Sequence, residues 1–190
     1  MAGSVFIFLA RWLRDPAHIG AIMPSGKQLA RAMAAQVAGA TGAIVELGGG
    51  TGTVTEALLA ARVDPKRLIV LERDGHLAGH LAKRFPGVTV VHGDARDVRA
   101  AVAKANVGPV GAFVSSLPLL SLPSAECVAI VAECSQLMGA DGRFVQFTYG
   151  PRSPIPNHGQ FGLQARATAW VLWNVPPATV WRYTRAAAAA

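Results

Sequence analysis

Residues 45–53 read VELGGGTGT, an apolar strand end that runs straight into alternating glycines. Glycine reaches backbone conformations closed to other residues and lets a bound molecule come close to the chain. Two phosphate-binding patterns fail on spacing. The dinucleotide fingerprint needs G-x-G-x-x-G, whereas Gly48, Gly50 and Gly52 fall at every second position and Thr53 follows. The phosphate loop fails because no Gly-Lys-Ser/Thr follows. What remains is acidic-x-G-x-G-x-G, headed by Glu46. A carboxylate there suits an ammonium and a sulfonium better than a pyrophosphate, because like charges in a poorly hydrated turn repel. The expected ligand is S-adenosylmethionine.

Outward from this turn, short β-rich runs alternate with helical patterns, the signature of a parallel sheet with crossover helices. Strands are expected near 44–47, 68–72, 88–92, 111–115 and 143–149. Between them TVTEALLAARV, GHLAGHLAKRF, ARDVRAAVAKAN and SAECVAIVAECSQLM space apolar residues as helices do. The end differs: ARATAWVLWNVPPATVWRYT (165–184) holds two aromatic and β-branched runs around Val175-Pro176-Pro177, which predicts an antiparallel pair. The expected fold is α/β, a Rossmann-like class I S-adenosylmethionine-dependent methyltransferase sheet, mostly parallel with a terminal antiparallel pair, plus N-terminal helices. One methyltransferase domain over 1–190 is expected, with an amphipathic membrane-surface helix at 1–15, a helix covering the cofactor at 24–39 and the catalytic sheet at 43–185.

The 190-residue chain is long enough for a full core, and 52% hydrophobic with 15% charged residues excludes a disordered protein. No apolar run is long enough to span a membrane, and no signal-peptide pattern is visible. In residues 3–14, GSVFIFLARWLR, most apolar residues fall in one arc of a helix, with Arg11 and Arg14 on the opposite side. A net charge of +7 implies attraction to something anionic, and nucleic acid and a membrane surface both qualify. Cys127 and Cys134, on one expected helix and about 10 Å apart, read as reduced core thiols. Scattered histidines give no metal-ligand spacing, so no metal is expected.

Ligands of doubly wound sheets bind at the carboxyl ends of the strands. Three acids are expected there: Glu46, Glu72 in LIVLERD, and Asp94 in VHGDAR. Glu72 is placed to accept from ribose hydroxyls and Asp94 from the adenine amino group, with Ala95 offering backbone contact. Gly48, Gly50, Gly52, Thr53, Arg73 and Ser115 complete the expected cofactor contacts.

The segments HIGAIMPSGKQLARAM, VELGGGTGTVT, RFPGVTVVHGDARD, SSLPLLSLP, FVQFTYGPRSPI and VWRY resemble the bacterial phospholipid N-methyltransferases, a family related to the rRNA adenine dimethylases. The resemblance covers nearly the whole chain. It implies that Ile22, Met23, Pro24 and Ser25 lie beside the methionine part of the cofactor. It also implies phosphatidylethanolamine as substrate and a cytoplasmic, peripheral location on the inner face of the cytoplasmic membrane. Gly49 stands where many proteins of this fold carry proline, a departure expected to leave binding intact.

After the fourth strand, nucleic-acid amino-methyltransferases carry Asn or Asp followed by Pro-Pro-Tyr, or Asn-Leu-Pro-Tyr, to hold and stack a base. Here Ser115 and Ser116 replace the polar head, Leu117 and Pro118 follow, and Leu119 replaces the ring. That argues for a target other than a planar base. Tyr149 and His158 are the polar candidates for handling an amine, and the Tyr149 ring offers a face to a cationic product. Arg152 is the leading anchor for a lipid phosphate, with Lys27, Arg31 and Arg182 secondary. Trp170, Trp173 and Trp181 read either as sheet core, the default for the inward half of each strand, or as interfacial residues.

Three functional readings follow. The first is a membrane-surface enzyme methylating the amine of phosphatidylethanolamine and its mono- and dimethyl derivatives, with an anionic membrane as partner and no stable nucleic-acid partner. The second is an RNA or DNA adenine N-methyltransferase. The third is a noncatalytic membrane-binding module that retains a cofactor pocket.

Overall fold

The computed structural model describes residues 24–174 and 176–186. The proposed surface helix at 1–15 and Met23 lie outside the described residues. The strands are β1 (Ala43–Leu47), β2 (Leu68–Glu72), β3 (Thr89–His92), β4 (Val110–Ser115), β5 (Met138–Thr148), β6 (Leu163–Val171) and β7 (Ala178–Arg185). The helices are α1 (Pro24–Ala34), α2 (Thr53–Ala60), α3 (Gly75–Arg84), α4 (Val98–Ala105) and α5 (Ser124–Leu137). They build a 7-stranded sheet ordered β3-β2-β1-β4-β5-β7-β6. β1 to β5 run parallel, and β7 lies antiparallel between β5 and β6. This is the class I methyltransferase sheet with its terminal antiparallel pair.

Every residue of β1, β2 and β4 is buried, as expected of parallel strands covered on both faces. One face carries α1, α2 and α3 over Ile44, Val70, Val114 and Val145. The other carries α4 and α5 over Val45, Ile69, Phe113 and Phe144. Strand order reverses between β1 and β4, so the crevice at their carboxyl ends is where such a sheet takes ligands.

Element bounds differ from the sequence reading where local chemistry ends a helix early. The helix expected at 24–39 stops at Ala34 and tightens into a 3₁₀ turn over Ala35–Val37. The one expected from Ala95 opens as a 3₁₀ turn capped by Asp94 and becomes α-helical at Val98. It ends at Asn106, whose left-handed backbone (φ 48°) stops it. β5 begins earlier than expected, at Met138, and leaves Tyr149 just beyond its last residue.

The close packing of the glycine turn explains Gly49. A Cβ there would strike Val70 and come within 2.7 Å of a Leu81 methyl, so these side chains fill the space another residue would take. Gly79, by contrast, lies in α3 with open space around it. Gly49→Ala should therefore lower stability by about 1–3 kcal/mol through overpacking. Gly79→Ala should raise it by roughly 0.5–1 kcal/mol through helix propensity. Urea unfolding of the two variants measures both signs.

Candidate active site at the sheet switch point

The turn after β1 is built by φ values of 78°, 53° and 88° at Gly48, Gly50 and Gly52. Side chains other than glycine's are strained in that region. Gly48 N–H still donates to Leu71 O at 2.8 Å, so the ladder continues one residue past the strand. Arg84 of α3 holds the far side of the turn, donating to Thr51 O at 2.7 Å and to Glu56 at 2.6 Å. A Cβ built on Gly50 meets nothing within 4 Å, so the turn presents open backbone at its crest. Thr53 opens α2, its hydroxyl 3.5 Å from that of Thr51.

Glu72, at the end of β2, accepts from Gly50 N–H and from Asp74 N–H, each at 2.8 Å. Its carboxylate thus joins the turns after β1 and β2, and each oxygen keeps a further lone pair. Asp94 is more heavily engaged. It accepts from the Arg96 backbone and from the Nε–H and Nη2–H of its guanidinium at 2.9–3.0 Å. Arg73, largely exposed, approaches it at 3.9 Å. Asp94 therefore holds the turn after β3 as well as being a ligand candidate, and the Arg96 contact keeps its carboxyl below the ordinary range. Ala95 beside it is half-buried.

On the acceptor side, Ser115 is fully buried and its hydroxyl accepts from Leu117 N–H at 3.3 Å. Ser116 N–H donates to Leu47 O at 2.9 Å, and the Leu117 side chain lies over Gly48. The SSLP segment and the glycine turn therefore meet across the switch point. The Leu117 carbonyl is fully used, accepting from Leu119 N–H and from the buried Gln146 side chain. Gln146 is a residue the sequence reading missed. An amide between the apolar residues Phe144, Val145 and Phe147 was its only signal. Pro118 opens the short turn that buries Leu119.

Tyr149 sits just past β5 with its ring edge-on to Phe147 at 5.3 Å. Burial pushes its hydroxyl above the ordinary phenol range, with the nearby Asn174 amide acting in the opposite direction. A phenol so shifted stays protonated at neutral pH and acts by hydrogen bonding, not as a base. His158 is not brought to it. The imidazole packs on Tyr183 at 5.8 Å and bonds Ile155 O at 3.2 Å. Tyr183 belongs to the α4–α5 face and Tyr149 packs on the other, so His158 is corrected to a packing residue. Arg152 is exposed on the loop between β5 and β6, and Lys27 is exposed in the first turn of α1. Arg182 lies mid-strand opposite Val145, away from the carboxyl-end loops, which removes it from the expected substrate contacts. Pro24 and Ser25 begin α1.

No protein-family model matches the chain. Over 151 residues it is 32% identical to an ornithine lipid N-methyltransferase of Singulisphaera acidiphila, covering 77% of this chain and 78% of that protein. The chain belongs to the lipid N-methyltransferase family. Solved structures share its fold at low identity. A TehB-like SAM-dependent methyltransferase from Corynebacterium glutamicum superposes with a TM-score of 0.61 at 18% identity, covering 96% of this chain and 99% of the other. The 1,6-didemethyltoxoflavin-N1-methyltransferase of Burkholderia thailandensis, solved with S-adenosylhomocysteine, gives 0.68 at 13% identity, covering 98% and 89%.

For a lipid N-methyltransferase, Glu46 is the most unusual group. It is fully buried, one oxygen accepts from the Thr55 hydroxyl at 2.7 Å, and the other has no partner among the described residues. Burial pushes its carboxyl from 4.5 to about 8; Thr55 opposes the rise and nearby Glu72 adds to it. The unfolded chain releases this proton near the ordinary value while the folded chain keeps it. Stability therefore falls as pH rises from 4.5 to about 8 and levels off above. In the unliganded protein this loss is on the order of a few kcal/mol. Glu46→Gln should abolish it, so urea midpoints measured across that window should fall in the wild type and stay flat in the variant.

Proposed function

We propose that the chain transfers methyl groups from S-adenosylmethionine to the primary amine of a membrane lipid at an anionic membrane surface on the inner face of the cytoplasmic membrane. The observation that carries this reading is the 32% identity with a lipid N-methyltransferase. The residues fit the cofactor. Glu72 has lone pairs left for ribose hydroxyls beside the open crest of Gly50. The unpartnered Glu46 oxygen provides a buried acceptor for a cationic group. The cofactor supplies an electrophilic methyl on a sulfonium, so alignment and exclusion of water provide much of the rate.

The acceptor amine must arrive uncharged, with its lone pair toward that methyl. The Tyr149 hydroxyl oxygen accepts from an amine N–H, which leaves the lone pair free for the methyl, and the Tyr149 ring faces the cation that forms. Ser116 borders the same crevice. The proposed acceptor is phosphatidylethanolamine, converted through its mono- and dimethyl derivatives toward phosphatidylcholine. Ornithine lipid is the second reading, favoured by the name of the matching relative. Both head groups pair an amine with an anion, and exposed Arg152 suits either phosphate or carboxylate. An adenine target is disfavoured, because Leu119 stands where a stacking ring is needed and is 3% exposed.

Labelled S-adenosylmethionine incubated with phosphatidylethanolamine vesicles, ornithine lipid vesicles or unmodified RNA should label a lipid; label in RNA alone would overturn the reading. Glu72→Ala should weaken cofactor binding by about 1.5–3 kcal/mol, measured by calorimetry, because a charged acceptor is lost. Tyr149→Phe and Tyr149→Ala should lower turnover, the alanine variant more, with cofactor affinity nearly unchanged. Full activity in both would move the acceptor site elsewhere.

A further inference from the structure

At the tip of the β6–β7 hairpin the structure holds two of the tryptophans clear of the core. Trp170 is 62% exposed, Leu172 68% and Trp173 82%. Side chains of this size held clear of the core mark an interaction surface. The position of the tip defines what it faces. Val171 pairs with Ala178, and Thr179 pairs with Thr148 at the end of β5. The tip therefore projects from the carboxyl ends of the parallel strands, the end that also carries the glycine turn and Tyr149.

The tip is tied to the site behind it. Thr179 donates to Gly150 O at 2.8 Å. Buried Asn174 donates to Pro176 O at 2.7 Å within the same hairpin. From Gly142 onward the chain carries five arginines and no aspartate or glutamate. Of these, exposed Arg152 lies on the loop that follows β5 at this end of the sheet, whereas Arg143, Arg166, Arg182 and Arg185 lie further along the strands. Helix α1, which packs on β5, β6 and β7, adds exposed Lys27 and Arg31 and no acid. Tryptophan favours the boundary between head groups and acyl chains, and cationic residues favour anionic head groups.

We propose that Trp170, Leu172 and Trp173 insert into the interface of an anionic lipid bilayer and seat the Tyr149 side of the crevice on the head groups. This rests on the reading of the chain as an enzyme of membrane lipids. It adds a docking element separate from residues 1–15. Among the described residues no helix is long and apolar enough to cross a membrane, so the contact is interfacial.

The test uses the full chain with vesicles of phosphatidylcholine containing phosphatidylglycerol. Because the three side chains are exposed, Leu172→Ser/Trp173→Ser should keep the wild-type melting temperature. Its vesicle affinity should fall on the order of tenfold. A second variant, Trp170→Phe/Trp173→Phe, reads insertion directly. Brominated acyl chains should quench wild-type tryptophan emission strongly and that of this variant, which retains Trp12 and Trp181, much less. Unchanged affinity in the serine variant together with unchanged quenching in the phenylalanine variant would overturn the proposal. Loss of a dimer in the serine variant, with vesicle binding intact, would overturn it in favour of a second copy of the chain. The functional reading fails separately. A wild type that binds vesicles through the tip but methylates no amine lipid, dispersed or in vesicles, would overturn the lipid-methylation reading and leave the docking surface standing.

Discussion

The site depends first on one carboxylate. Glu72 ends β2, yet its oxygens receive backbone N–H groups from the turn after β1 and from the residue that caps α3. Those two turns have different strands behind them and different helices in front. Joining them fixes how the glycine crest sits relative to the rest of the crevice. Hydrogen bonds to a charged acceptor are stronger than neutral ones, and Glu72 itself is only 9% exposed. Without this acceptor, a turn with three left-handed glycines has little intrinsic preference for one shape, because glycine loses more conformational freedom on ordering than any other residue. The parallel ladder then supplies the rest. Ser116 bonds the end of β1 and places the SSLP segment against the same turn.

Glu46 sets an opposing requirement. A second carboxyl lies under the turn, buried, with only Thr55 as partner for one oxygen. As a structural element it is a poor choice, since an amide of similar shape would lack the penalty for ionisation in a low-dielectric setting. Its usefulness lies in what it can accept. A cationic ligand group near the unpartnered oxygen would reverse the balance, turning a carboxyl that burial keeps neutral into one that an opposite charge keeps ionised. A buried carboxyl with one unpartnered oxygen is a group that folding alone disfavours.

Local chemistry made the sheet and the turn after β1 legible in the sequence. Glycine spacing, apolar strands and an acid at or just past the ends of the first three strands are properties of short segments, and the sheet placed Glu46, Glu72 and Asp94 at the carboxyl ends of β1, β2 and just beyond β3. Less legible were effects set by partners distant in sequence. Asp94 looked free, but Arg96 closes on it. His158 looked like a reactive loop residue, but Tyr183, from the last strand, takes its ring. The tryptophans followed a pattern suited to a buried strand, and only the outer position of β6 and the turn geometry exposed Trp170 and Trp173. Gln146 and Asn174 were invisible for a related reason: their value lies in which carbonyl they reach in the fold.

Those two amides each hold a carbonyl in place. Gln146 sits on β5 opposite both Ser115 and Trp181 and holds the Leu117 carbonyl, so the shape of the crevice wall is fixed from inside the sheet. Asn174 does the corresponding work within the hairpin, holding the Pro176 carbonyl. An amine attacking a sulfonium methyl needs its lone pair within a narrow range of distance and angle. For a lipid head group, that alignment depends on how the protein meets the surface holding the lipid. The base of the β6–β7 hairpin bonds the residue that follows Tyr149, through Thr179 and Gly150 O, so the exposed tip and the tyrosine lie at the same end of the sheet. A surface that engaged the tip would therefore also present its head groups to that end.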